Sequence, residues 1–198
     1  MIFENLRLNI NVTDQEFNSI YTDKIRRLAE KHWTPVAVAK QVSEFLVQKP
    51  GTHVLDIGSG AGKFCLIGAA RTEGHFIGIE QREELVDLSN ALAKHYGLGN
   101  ARFIHANITS VRFSSYDAFY FYNAFHENIT DQEQIDDAII GNERFYNIYS
   151  KYVAEQLSSL PAGTRLATYW SPQRIVPQQY QLRYSSDSGL VRFWQKAY

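Results

Sequence analysis

The sequence predicts an α/β fold in which a mostly parallel sheet lies between layers of helices. Three observations carry this reading. Short apolar runs alternate with stretches of helical periodicity along the middle of the chain, the pattern of strand–crossover–strand units. The runs at 54–57, 75–79 and 117–122 are almost continuously apolar, as in strands covered on both faces. The first of them enters Gly58, Gly60 and Gly62, and a helix-like stretch follows from Lys63 to about Arg71. No repeat, low-complexity segment or linker interrupts the chain, so residues 1–198 read as one domain, with a helical cap over 1–50 and the core over 51–198.

The cap comes first. Thr13 and Glu16 form a capping box, and Phe17, Ile20, Tyr21 and Leu28 recur on one face, which predicts an amphipathic helix over 13–31. Lys24, Arg27 and Lys31 line another face and read as solvated. Trp33-Thr34-Pro35 starts a second helix, with Thr34 as N-cap and Pro35 in the first position; Val36, Ala39, Val42, Phe45 and Leu46 form its buried side. Lys49-Pro50-Gly51 then turns the chain into the first strand.

Later elements follow the same logic. Leu85, Val86, Leu88 and Leu92 give helical spacing over 82–96, and Gly97 stops it. Residues 101–105 read as a third strand and 117–122 as a fourth, aromatic one. Helices are expected over 131–140, capped by Thr130, and over 143–160, where Phe145, Ile148, Tyr149, Tyr152, Val153 and Leu157 form a stripe assigned to the core. A fifth strand covers 164–170, and the alternation over 179–184 and 190–194 around Ser-Ser-Asp-Ser-Gly189 reads as a hairpin.

The glycine turn carries the functional argument. Glycine has no Cβ, so strand, glycine turn and helix together let a backbone pass close to a ligand. Glu80, at the end of the second strand, is spaced to accept hydrogen bonds from a ribose diol. The dinucleotide fingerprint is only partly met, because the third glycine comes one residue early. Asp56, two residues before Gly58, would repel a pyrophosphate but favour a cation. That suits S-adenosylmethionine, with its sulfonium and ammonium groups, better than NAD. A phosphate loop is excluded because Phe64 follows Lys63 and Ile57 stands where that loop needs its first glycine. A tight turn without a ligand is the plain alternative.

Val-Leu-Asp-Ile-Gly-Ser-Gly-Ala-Gly-Lys, with Gly-Ile-Glu80 after it, closely resembles the first two motifs of class I S-adenosylmethionine-dependent methyltransferases, over roughly residues 34–170. The resemblance implies a three-layer Rossmann-like sandwich. Its seven-stranded sheet is mostly parallel, closed by a C-terminal antiparallel hairpin and preceded by helices. It implies transfer of an activated methyl group, with Asp56, Gly58, Ser59, Gly60, Gly62 and Glu80 around the cofactor. Thr34, in a segment that folds over the cofactor in many members, joins this set, with Trp33 beside it as a core anchor or a water-excluding ring. Gln81 and Ile108 would border the adenine or serve as helix entry and core. Asn107 stands where the family usually carries an acid that accepts from the adenine amino group. An amide both donates and accepts, which leaves that pairing open.

Ligands of an open parallel sheet bind beyond the strand C-termini, so the acceptor side is expected at 122–127. Asn123 would aim the acceptor, and Tyr122 and Phe125 would wall it. Nitrogen-directed family members acting on adenine or glutamine carry Asn-Pro-Pro-Tyr here; this chain has Asn-Ala-Phe-His, without either proline. The pairing of an Asn- and Phe-containing motif with the glycine turn is also loosely similar to the non-SET lysine methyltransferases, without their long N-terminal region or basic tail. The acceptor is expected to be nitrogen on a protein side chain or small molecule. His126 and Glu127 would form a proton-removing pair only for a hydroxyl acceptor. They are not a zinc motif, because Thr130 replaces the second histidine. A catalytically silent cofactor-binding sensor or scaffold is the competing reading.

Composition sets the outer bounds. A net charge of −1 offers no long-range attraction for nucleic acid, which makes that partner unexpected. The single cysteine, Cys65, allows no internal disulfide, fits a reducing compartment and is expected to be a buried thiol. No apolar stretch is long enough for a membrane span, and the first residues lack a signal peptide's pattern, so a cytoplasmic setting is expected. Oligomeric state is left open.

Overall fold

A computed structural model describes residues 1–129, 135 and 142–197, without the side chains of Glu30 and Lys31. The helix expected over 131–140, with its Thr130 cap, and the Lys31 member of the basic face lie outside the described residues.

Four helices come first: α1 (Ile2–Arg7), α2 (Asp14–Asn18), α3 (Asp23–His32) and α4 (Val36–Leu46). The core follows as β1 (His53–Ile57), α5 (Lys63–Arg71), β2 (His75–Glu80), α6 (Glu83–His95), β3 (Ala101–His105) and β4 (Ala118–Tyr122). It closes with α7 (Glu143–Ser159), β5 (Arg165–Tyr169), β6 (Tyr180–Ser185) and β7 (Val191–Lys196). The sheet has seven strands in the order β3-β2-β1-β4-β5-β7-β6. Strands β1 to β5 pair in parallel, and β7 pairs antiparallel with both β5 and β6. The strand order reverses between β1 and β4, so the crevice beyond their C-terminal ends is where this topology places a ligand.

Strand alternation divides the core into two layers. Val54 and Phe76 join the layer built with α1 to α6, whereas Leu55, Ile57, Phe119, Phe121 and Leu166 pack on the opposite face with residues of α7. Asp56 and Glu80 share the phase of Val54 and Phe76. The two predicted acids therefore lie on one face of the sheet.

The cap departs from the expected pattern in two places. The helix over 13–31 is two helices, broken after Asn18, although the capping box of Thr13 and Glu16 is present. Long-range bonds hold the break: the Tyr21 hydroxyl donates to the Ala61 carbonyl at 3.0 Å, and Lys63 Nζ donates to Asn18 Oδ1 at 2.9 Å. Thr34 does not cap α4, whose first amide, Val36 N, donates instead to Asp14 Oδ1 at 3.0 Å. The cap comes from a distant carboxylate, which frees the Thr34 hydroxyl to bond the Tyr120 hydroxyl at 2.8 Å. Helix α1 was not legible from its few residues; Phe3 and Leu6 bury it.

Candidate active site

The glycine turn is built by close packing. The amides of Gly58 and Ser59 both donate to the Ile79 carbonyl, tying the turn to β2. Gly58, Gly60 and Gly62 all have positive φ, a region that residues with a Cβ enter at a cost. A Cβ on Gly58 would lie 2.4 Å from Ala124 Cβ, and one on Gly60 would lie 2.2 Å from the Trp33 ring. The turn is thus pressed between the loop after β4 and the cap. Lys63 is almost fully buried and completes this latch by donating to Asp14 Oδ1 at 2.5 Å.

Beyond the turn lies a cavity of about 380 Å³. Its walls include Gly58, Gly60, Glu80, Gln81, Asn107 and Ile108 together with Tyr122, Asn123 and Phe125. The cofactor half and the acceptor half of the expected site therefore share one hollow. Thr34, Asp56, Ser59 and Gly62 are not on its wall. Thr34 is turned to Tyr120; Ser59 is buried against Gly78; and Gly62 gives way to the Phe103 ring, which would lie 2.7 Å from a Cβ there.

Glu80 is held rigidly. Its Oε2 accepts from Gly60 N at 3.0 Å, and its Oε1 accepts from Gln81 N and Arg82 N, both at 2.9 Å. A carboxylate has about four acceptor positions, so roughly one is left for a ribose hydroxyl rather than the two expected. Burial pushes the Glu80 acid up from its ordinary value, opposed by the Arg82 amide and charge and by the Gly60 amide. Asp56 lies under the turn, with the Cys65 thiol donating to Oδ2 at 3.4 Å. Burial raises its pKa to about 7; the thiol bond lowers it and the charge of Glu80 raises it. Cys65 is buried, and burial and the neighbouring Asp56 push its thiol up.

Asn107 lines the cavity, but its amide is already engaged. Oδ1 accepts from both the amide and the hydroxyl of Thr109, and Nδ2 donates to the Tyr149 hydroxyl. It caps the short 3-10 turn Ile108–Ser110, so reading an adenine amino group would require releasing Thr109. His105 Nε2 meets the Gln81 carbonyl at 3.1 Å, bridging the ends of β3 and β2.

The acceptor loop holds the groups least visible in sequence. Arg82 makes a two-pronged pair with Glu127, at 3.0 and 2.7 Å, and both side chains are over nine-tenths buried. Glu127 is thereby engaged in an ion pair with Arg82. Its neighbour Asn128 turns back to donate to the Phe125 carbonyl. Asn123 has φ +38, and its backbone amide donates to Ser171 Oγ at 3.0 Å, which joins the ends of β4 and β5. Trp170 has φ +49 and lines the same cavity. Arg82 was hidden by standing next to the acid motif, and Trp170 by reading as a strand end.

A family model described as a methyltransferase domain matches residues 48–156, more than half of the chain. The chain belongs to the class I methyltransferase family. The matched region of this methyltransferase spans the glycine turn, Glu80 and the loop after β4. Among curated proteins it is 44% identical over 55 residues to a tRNA (guanine-N(7)-)-methyltransferase of Synechococcus sp. (strain JA-3-3Ab), covering 27% of this chain and 23% of that one. It is 37% identical over 73 residues to the 23S rRNA (uracil(1939)-C(5))-methyltransferase RlmD of Alkalilimnicola ehrlichii, covering 37% of this chain and 16% of that protein. The chain thus spans less than a quarter of the length of these relatives. An RNA methyltransferase from Salinibacter ruber, solved with S-adenosyl-L-homocysteine, superposes with a TM-score of 0.58 at 20% identity, over 83% of this chain and 93% of that one. TrmN from Thermus thermophilus gives 0.60 at 19% identity, over 86% and 51%. At these identities the likeness is one of fold. Among the described residues no helix is long and apolar enough to cross a membrane.

Proposed function

We propose that this methyltransferase moves a methyl group from S-adenosylmethionine to a nitrogen acceptor on a small molecule or protein side chain. One observation carries the reading: Glu80, clamped by three backbone amides, faces the same hollow as the side-chain-free Gly58 and Gly60 and the loop Tyr122–Phe125. The residues fit the cofactor. Glu80 keeps an acceptor position for a ribose hydroxyl, Gln81 and Ile108 border the adenine, and Asp56 beneath the turn supplies negative charge toward a cation.

When bound, the cofactor supplies a methyl on sulfonium; an acceptor lone pair takes the carbon, the carbon–sulfur pair stays on sulfur, and any surplus proton on nitrogen passes to solvent. The protein's part is alignment and exclusion of water. Holding reactants in line contributes up to roughly 7 to 11 kcal/mol in favourable cases. Asn123 orients the acceptor, Tyr122 and Phe125 confine it, and Trp33 covers the turn. The Arg82–Glu127 pair keeps the acceptor loop in register with Glu80.

RNA as acceptor is the second reading, favoured by the relatives' names. Against it, Arg82 is the one lysine or arginine among the described residues of the cavity wall, and Glu127 already neutralises it.

Calorimetric titration with S-adenosylmethionine, S-adenosylhomocysteine and NAD tests the cofactor assignment, and binding of NAD alone would end it. Radiolabelled methyl donor with fractionated lysate tests the acceptor. Label in small-molecule or protein fractions is expected; label in RNA transfers the assignment to the second reading. Cofactor binding without any transfer identifies a silent sensor.

A further inference from the structure

We infer that the acceptor is a planar, uncharged nitrogen heterocycle that stacks on Trp170 and is held at its edge by Asn123. This rests on the methyltransferase reading above and narrows its substrate class. Trp170 is the first observation. Its φ of +49 is unusual for a bulky residue, and the residue stays 57% exposed at the cavity wall. Strained residues persist where the surroundings hold them in place, and they cluster at ligand sites. Here the amide of Trp170 is fixed on the Leu190 carbonyl at 2.9 Å, yet its indole has no ring or hydrogen-bond partner among the described residues. The fold therefore presents an open aromatic face.

The second observation is Asn123. Its backbone is pinned by Ser171, while its side-chain amide has no partner among the described residues. An amide offers one donor pair and one acceptor, which matches the edge of a ring with adjacent hydrogen-bonding groups. Beside it, Tyr122 and Tyr169 pack with centroids 4.6 Å apart and line the same cavity. The third observation is charge. Arg82, the one lysine or arginine among the described wall residues, is paired to Glu127, and Glu80 faces the same hollow, so the wall favours a neutral ring over a phosphate-bearing one.

The test uses the full chain saturated with S-adenosylhomocysteine, its loading confirmed by calorimetry. Nicotinamide and 2-aminopyrimidine, both neutral at the pH of the test, are then titrated as planar probes. Cyclohexylamine, a lysine peptide and a single-stranded RNA oligonucleotide serve as the other classes. At least one planar probe is expected to bind, and Trp170→Ala should weaken it roughly ten-fold or more, as loss of a stacking face does. The mutation should leave S-adenosylhomocysteine affinity within two-fold. Trp170→Gly relieves the positive φ, so it should not lower Tm and should still lose the planar probe; a merely structural Trp170 would lower Tm instead. Planar-probe affinity unchanged from the unmutated chain in both variants, no planar binding to the loaded protein, or preferential binding of the peptide, the aliphatic amine or the RNA would overturn the inference. Failure of S-adenosylhomocysteine to bind would instead remove the reading on which it stands.

Discussion

Arg82 and Glu127, brought together from either side of the cavity, form a buried fork with both nitrogens on both oxygens. Arg82 also donates its backbone amide to Glu80. One residue therefore fastens the ribose acid and the acceptor loop to each other. Removing either partner leaves a buried charge, which costs about 3 to 5 kcal/mol. Glu127→Ala is expected to lower unfolding stability by that order in urea titration. A loss below about 1 kcal/mol would mean that the pair is not formed in solution.

Glu80 is predicted to be the larger contributor to cofactor affinity. Glu80→Ala should weaken S-adenosylhomocysteine binding by about 1 to 3 kcal/mol in calorimetry, through a lost ribose hydroxyl bond and a loosened Gly60 amide. Unchanged affinity would remove Glu80 from the site.

Asp56 sets a pH dependence. Burial raises its folded-state pKa from the ordinary 3.8 to about 7. Stability from the neutral acid is full below about pH 4 and is lost as pH rises through 7. A bound cation favours the ionised form, so cofactor binding should release protons and tighten across the same window. Calorimetry in buffers of different ionisation enthalpy measures this release. Asp56→Asn should flatten both trends; an unaltered proton count would assign them to Glu80.

The latch between cap and glycine turn is testable at Asp14, whose Oδ1 accepts from both Lys63 Nζ and Val36 N. Asp14 is half exposed, which screens the ion pair, and the buried Lys63 keeps Asn18 Oδ1 as a partner, so the expected effect combines the lost helix cap with a partly compensated buried charge. Asp14→Ala should cost about 2 kcal/mol or less in thermal unfolding and speed protease cleavage in the first 35 residues. If cleavage is unchanged, the cap is held by contacts other than those of Asp14.

Local patterns were enough for the strands, the glycine turn, Glu80 and most helix limits, because each depends on residues a few positions apart. Apolar period, a capping box and a missing Cβ act within one turn or strand, and order along the chain then placed Gly58 and Asn123 at the same end of two neighbouring parallel strands. What tertiary structure decided involves partners far apart in sequence. Asp14 replaced Thr34 as the cap of α4, Thr109 and Tyr149 occupied the Asn107 amide, and Glu127 was taken by Arg82. A side chain's chemistry is set by whichever group the fold brings within hydrogen-bond distance. That choice follows from strand register and loop path, which the identity of the residue does not encode.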